Sequence, residues 1–215
     1  MHVLIDLDGT LTDPREGITT CIQHALRSLG QSVPPKADLE RYIGPPLQAS
    51  LLELLGSESL AREALALYRE RFGRTGLYEN EIYPGIRECL DRISTEVDSM
   101  CVVTSKPTVY ATRIVAHFKL DSYFRVVYGS ELDGTRTDKV DLLAHVLDAE
   151  GLDPGDAIMI GDRRHDIEGA RAHGIFSIGV LWGYGDRREL SDAGADALCD
   201  QPGALAAMVL GSGVG

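Results

Sequence analysis

Five short apolar runs constrain this chain more than anything else in it: HVLI at 2–5, MCVVT at 100–104, RVVY at 125–128, AIMI at 157–160 and IFSIGV at 175–180. They are unbroken rather than alternating and rich in Val and Ile, which suits strands covered on both faces. Between them, PGIRECLDRI (84–93), TVYATRIVAHF (108–118), DKVDLLAHVLDAE (138–150) and DIEGARAHG (166–174) place apolar residues three and four apart, the period of helices with one buried side. Strands alternating with helices predict an α/β fold built on a doubly wound parallel sheet with right-handed crossovers.

Residues 14–80 break that rhythm. GITTCIQHALRSLG, ADLERYI, LQASLLELLG and ESLAREALALYRERFG are all helical in period, with Gly30, Gly56 and Gly73 as stops. The expected organisation is an α/β core of residues 1–13 and 81–215, with residues 14–80 as an all-helical insert after the first strand. Charge is divided along the same line. Residues 13–80 hold nine acids and eight bases, whereas the whole chain has 33 acids against 21 bases and a net charge of −12. The insert can therefore meet an anion without global repulsion, while the chain lacks the basic face that a nucleic-acid polymer requires.

The opening MHVLIDLDG has neither the basic region nor the long apolar core of a signal peptide, and no run approaches the ~20 apolar residues of a membrane span. A cytoplasmic protein with no membrane partner is expected. Cys21, Cys89, Cys101 and Cys199 have no metal-ligand spacing and are expected to be reduced and packed inside. The terminal GSGVG is expected to fray.

In open α/β sheets, ligands bind beyond the carboxyl ends of the strands, so the residues following each run carry the chemistry. Asp6 and Asp8 follow the first run. Thr104, Ser105 and Lys106 follow the second, and a long loop after RVVY leads to Lys139. GDRRHD, with Asp162 and Asp166, follows AIMI. Each piece has an ordinary structural reading. D-x-D-G is a common turn, Thr104-Ser105 before Pro107 can cap a helix, and Asp166 can be an N-cap. Lys139 is harder to place, because a cation in a helix's first turn opposes the macrodipole by ~0.3–1 kcal/mol unless an anion is near. Acids, hydroxyls and lysines at four successive strand ends point to an anion site.

The set resembles the haloacid dehalogenase-like hydrolase superfamily over nearly the whole chain. DLDGTLTD matches its first motif, Thr104-Ser105 its second, Lys139 its third and GDRRHD with IEGARAHG its fourth. The helical insert resembles the cap of the phosphoglycolate phosphatase-like branch. IGPPL (43–47), TSKP (104–107) and GSELDGTRTDK (129–139) resemble members described as phosphoglycolate phosphatases or 5′-nucleotidases.

The resemblance implies that Asp6 attacks phosphorus and forms an aspartyl-phosphate, with the Asp8 side chain as general acid and then base. Thr104 and Ser105 would hold phosphoryl oxygens, Lys139 would offset transition-state charge, and Lys106 would either reach the substrate or flank the pocket as a solvated lysine. A carboxylate facing a phosphate dianion at about 4 Å is repelled by roughly 8 kcal/mol at an effective dielectric of about 20, which two lysines do not cancel. A divalent cation is required. An oxygen-only donor set favours Mg²⁺, and the resemblance implies that the Asp6 carboxylate, the Asp8 carbonyl and Asp162 hold it, with Asp166 acting through water or a neighbouring ligand.

The substrate expected is a small phosphorylated metabolite, a phosphomonoester selected by the cap. Arg15, Arg41, Arg69 and Arg71 are candidates for a substrate carboxylate and Tyr42 or Tyr78 for a nucleobase, although Arg69 and Arg71 cannot share one helix face. His165 is expected at the surface and His173 at a helix C-terminus. The rival readings are a phosphomutase on the same fold and a receiver-like phospho-acceptor or binding protein, which stores a phosphoryl group rather than releasing it.

Overall fold

A computed structural model describes residues 1–214. The elements run β1 His2–Ile5, β2 Thr12–Asp13, α1 Arg15–Ser28, α2 Lys36–Leu39, α3 Leu47–Leu55, α4 Glu58–Arg74, β3 Glu81–Ile82, α5 Ile86–Ser94 and β4 Ser99–Pro107. There follow α6 Thr108–His117, β5 Val126–Ser130, α7 Lys139–Glu150, β6 Ala157–Gly161, α8 Arg164–His173, β7 Phe176–Val180, α9 Arg187–Ala193, β8 Ala197–Cys199 and α10 Pro202–Leu210.

Six strands form one sheet in the order β5-β4-β1-β6-β7-β8, every pair parallel. The five apolar runs are its first five strands along the chain. The sixth, β8, was not anticipated, and neither were α9 and α10. Its three residues give too short a run to read as a strand, and its Ala, Leu and Cys have no strong strand preference.

The unbroken apolar runs are explained by the layering. Val3 and Ile5 point with Val102, Ile158 and Ile160 into one core. Leu4 points with Cys101, Val103 and Met159 into the other, beneath Leu142, Leu143 and Val146 of α7. The central strands β1, β4 and β6 are thus buried on both sides, which is why their runs are apolar without alternation. The chain moves outward from β1 through β4 to β5, then crosses back to β6 on the other flank. That reversal beside β1 is the switch point at which such sheets open a crevice.

The segment between β2 and β3 contains only helices. Its entry and exit strands pair antiparallel, with Thr12 opposite Ile82 and Asp13 opposite Glu81, so the insertion stands on a two-strand stem. Buried Ile18, Cys21, Ile22, Ala25 and Leu26 of α1 pack against Ala61, Ala64, Leu65, Tyr68 and Phe72 of α4. Gly30 and Gly56 are left-handed residues just beyond their helices. Gly73 is not a stop, because α4 runs through it to Arg74. All four cysteines are free and buried. Among the described residues no helix is long and apolar enough to cross a membrane. Gly215, the end of the tail expected to fray, lies outside the described residues.

Candidate active site

Strand alternation carries the chemistry outward from β1. Leu4 faces the α7 layer, and Asp6, two residues on, continues to the same side just past the last ladder pair. The Asp6 N–H still donates to the Ile160 carbonyl at 2.9 Å, which fixes its backbone against β6. On that side it meets Lys139, the first residue of α7. The Lys139 ammonium donates to Asp6 Oδ1 at 2.9 Å and the Val103 carbonyl at 2.8 Å, and lies 2.7 Å from Asp166 Oδ1. All three donors of the ammonium are used, which accounts for a cation at this helix start.

The fourth-motif acids are fixed as tightly. The second Asp166 oxygen accepts the Arg163 N–H at 3.1 Å, closing the first turn of α8. Asp162 accepts from the Thr10 hydroxyl at 3.3 Å and from the Tyr184 N–H at 2.8 Å. Glycines make room for these carboxylates. Gly9 sits at φ +87°, and a Cβ there would lie 2.2 Å from Asp162 Oδ2. Gly9→Ala therefore meets both backbone strain and a clash, and we expect a stability loss of at least ~2 kcal/mol, read as a Tm lowered by about 4–8 °C. An unchanged Tm would mean that this turn is more yielding than its contacts indicate.

Asp6, Asp162 and Asp166 each offer an oxygen within 4.8 Å of the others. Burial, relieved in part by Lys139, raises the Asp6 carboxyl from 3.8 to about 6. Burial and then the Asp6 and Asp166 charges push Asp162 well above the ordinary carboxylate range. Asp8 is raised by burial, with Lys106 pulling it back. For Lys139 burial works against the charge, yet Asp166 and Asp6 hold it above the usual lysine value. Four buried carboxylates face two buried ammoniums. An oxygen-only cluster with this surplus of negative charge fits a hard divalent cation of the Mg²⁺ type.

Sequence left Lys106 open between substrate contact and solvated lysine, and the structure removes the second reading. Its side chain is 6% exposed and its ammonium lies 2.6 Å from Asp8 Oδ2, beneath the Phe72 ring of α4 at 4.6 Å. A bulge explains this. The β4–β5 register jumps between Thr104 and Pro107, so Ser105 and Lys106 leave the ladder. A Cβ on Gly129 would lie 2.4 Å from the Lys106 carbonyl, so only glycine admits the bulge. Ser130 secures it by donating to the Ser105 carbonyl at 2.8 Å. Thr104 is buried beside Asp6, its hydroxyl accepting the Lys106 N–H at 3.3 Å. Among the described residues, buried Asp8 Oδ1 has no hydrogen-bond partner.

These groups open into one cavity of about 130 Å³ between the sheet and the helical insertion. Asp6, Asp8, Thr104, Ser105, Lys106, Lys139 and Asp166 line it, while Asp162 lies behind, held by Gly9 and Tyr184. Of the insert candidates, only Arg69 and Tyr42 reach it. Arg15 pairs with Asp13 and Glu40, Arg41 with Glu53, and Arg71 with Glu79. Tyr78 is 43% exposed and accepts from Arg113. His165, expected at the surface, is half-buried on the cavity wall, because α8 begins at the strand end and carries it inward. Sequence reasoning missed Tyr68, Phe72, Tyr110 and Arg163, which also line the cavity, and the WGYG segment at 182–185 that holds Asp162. The last was findable, since it follows β7 as the other site residues follow their strands.

The haloacid dehalogenase-like hydrolase family model matches residues 3–180. A 5′-nucleotidase of Pseudomonas aeruginosa is 50% identical over 190 residues, spanning 88% of this chain and 86% of that protein. The tyrosine-protein kinase PtkA of Mycobacterium tuberculosis is 41% identical over 184 residues, spanning 85% of this chain but only 62% of the kinase. The crystal structure of a predicted phosphatase from Clostridium acetobutylicum matches with a TM-score of 0.94 at 38% identity, covering 98% of both chains.

Proposed function

Because the chain belongs to the haloacid dehalogenase-like hydrolases, we propose that it is a Mg²⁺-dependent phosphatase that cleaves nucleoside 5′-monophosphates through an aspartyl-phosphate on Asp6. The observation that carries the reading is the buried cluster of Asp6, Asp162 and Asp166 with one ammonium on it, facing a cavity beside Asp8.

Asp6 and Asp162, with the Asp8 carbonyl, would hold the cation, and Asp166 would orient that set. When bound, the cation neutralises the repulsion between Asp6 and the phosphate and draws charge from the phosphoryl oxygens. In the first step an Asp6 carboxylate oxygen forms a bond to phosphorus as the ester oxygen leaves, taking a proton from Asp8. In the second, water attacks phosphorus, Asp8 accepts its proton, and the bond to Asp6 breaks to release phosphate. The unpaired Asp8 Oδ1 suits the transfer, while Lys106 holds the other oxygen. Thr104 and Ser105 would hold phosphoryl oxygens, and Lys139 would keep Asp6 ionised and aimed.

Residues 14–80 would act as the cap. Tyr42, Tyr68, Phe72 and Tyr110 present aromatic surface to the cavity, which suits a ring-bearing leaving group and agrees with the name of the Pseudomonas relative. Arg69, on the cavity wall, favours a second reading in which the leaving group carries a carboxylate, as in phosphoglycolate.

Phosphate release from nucleoside monophosphates, phosphoglycolate and sugar phosphates, with and without Mg²⁺, tests this. Fastest release from nucleoside monophosphates is expected, falling at least about 100-fold on chelation. An isomerised product would indicate a mutase, a phosphoenzyme stable for minutes a receiver-like protein, and transfer from ATP to tyrosine a kinase. Any of these without free phosphate overturns the reading.

Thermal stability gives an independent check of the cation. Asp6 holds its proton more tightly in the fold than in the unfolded chain, with a folded pKa of about 6 against 3.8. Its contribution is full below the unfolded value and is lost as pH rises through the folded one. Mg²⁺ should restore that loss, so it should raise Tm more at about pH 7.5 than at about pH 5.5. Equal shifts at both would count against a cation among these acids.

A further inference from the structure

Arg163 follows Asp162 directly, yet its side chain turns away from the acid cluster toward the helical insertion. Its Nη1 donates to the Ile43 carbonyl at the start of the GPP loop. Its Nε donates to Glu189 Oε1 of α9 at 2.8 Å, and the same oxygen accepts the Arg164 N–H at 3.0 Å. The Arg163 side chain is 13% exposed and that of Glu189 23%, so the pair is largely shielded from water. Gly44 has φ +100°, and a Cβ there would lie 2.8 Å from Arg163 Cγ, so the loop rests directly on this side chain.

The loop has little else to hold it. Pro45 and Pro46 have no N–H to donate. Among the described residues, the bond from Arg163 is the only hydrogen bond crossing from residues 43–46 to the α/β core. Gly44, Pro45 and Pro46 also form part of the cavity wall. A loop that closes the cavity is thus fastened through one guanidinium to the strand end bearing Asp162 and Asp166.

We propose that Arg163 is a positioning residue, a latch that docks the 43–46 loop over the cavity, with Glu189 holding the guanidinium in the orientation that makes this possible. Arginine suits the task because its planar fork sends Nε to Glu189 and Nη1 to Ile43 at fixed separation, which a lysine cannot do with one nitrogen. The backbone N–H of Arg163 that supports Asp166 survives any side-chain change, so the latch is separable from the acid cluster. The kinetic part of the test rests on the phosphatase reading; the exchange part does not.

Amide hydrogen exchange across residues 40–50 and steady-state kinetics with AMP should be measured for wild type, Arg163→Ala, Arg163→Lys, Glu189→Ala and Gly44→Ala. Arg163→Ala is expected to speed exchange across the loop at least about tenfold and raise KM at least about tenfold, with kcat lowered less than about threefold. Arg163→Lys should recover only a small part of either effect, and Glu189→Ala should resemble Arg163→Ala. The Mg²⁺ concentration giving half-maximal rate should not move. Gly44→Ala pushes on the latch from the loop side, so its effect should add little to that of Arg163→Ala in the double variant. Unchanged loop exchange in Arg163→Ala, or full recovery by lysine, overturns the proposal. If Arg163→Ala does not fold, Glu189→Ala and Gly44→Ala decide by the same readouts. If wild type releases no phosphate from any ester, the exchange results still decide the latch while the phosphatase reading falls.

Discussion

Asp6→Asn should lower kcat by at least about 10³-fold while leaving the metal-free protein no less stable than wild type. Asparagine has the shape of aspartate, and its carbonyl oxygen can still accept from Lys139 where Oδ1 does now, at 2.9 Å. What it lacks is an anionic oxygen able to bond phosphorus. Burial already disfavours the charge at this position, which is why the Asp6 carboxyl is raised to about 6. A neutral side chain there removes repulsion with Asp162 and Asp166, and Asp166 remains to pair with the Lys139 ammonium. Mutants of catalytic groups that lose rate through unfolding lose both quantities; this one should lose only rate. Phosphate release, Tm without Mg²⁺, and the mass of enzyme quenched during turnover should be read together. A phosphoryl adduct should appear in wild type and be absent from the variant. Phosphate release near the wild-type rate would remove Asp6 as the nucleophile.

The sequence exposed the parts of this site that a single element determines. Val3, Leu4 and Ile5 had to be a strand buried on both faces, and Asp6 had to follow at its end. The same reasoning brought Thr104 and Asp162 to the neighbouring strand ends, and Lys139 was conspicuous because it sits at a helix start that disfavours it. Contacts that depend on two elements meeting were not legible. Lys106 reads equally as a substrate contact or a solvated lysine until the β4–β5 bulge turns it toward Asp8, and that bulge depends on Gly129 in another strand. Arg163 is one of two adjacent arginines, and only the approach of the GPP loop and α9 distinguishes them. Arg69 and Arg71 were correctly seen to diverge on α4, but which would face the cavity depended on where Glu79 lay. Periodicity fixes which side of an element is buried; it does not specify what the element is buried against.

Lys139→Met should be the most damaging single change, in stability as well as rate. The side chain is 3% exposed, and its ammonium contacts Asp6, Asp166 and the Val103 carbonyl. Methionine fills much of the same volume but supplies no donor, leaving two buried carboxylates and a carbonyl uncompensated. Breaking a buried ion pair from one side costs ~3–5 kcal/mol, or a Tm lower by roughly 10 °C in a domain of this size. Asp6 can relieve the cost by taking up a proton, which moves its folded pKa, already raised to about 6, further above the unfolded one. The loss should therefore be small below about pH 5 and grow as pH rises toward neutrality. Lys139→Arg should not rescue it, because a planar guanidinium does not match three acceptors arranged around one nitrogen. Mg²⁺ separates the structural role from the chemical one. Without the ammonium the acid cluster is more negative, so the variant should bind Mg²⁺ more tightly and regain stability from it. It should still turn over at least about 10³-fold more slowly, since a cation held by the carboxylates does not replace a donor fixed at Asp6 Oδ1. If saturating Mg²⁺ restored the rate along with the Tm, Lys139 would be a structural counter-charge and nothing more.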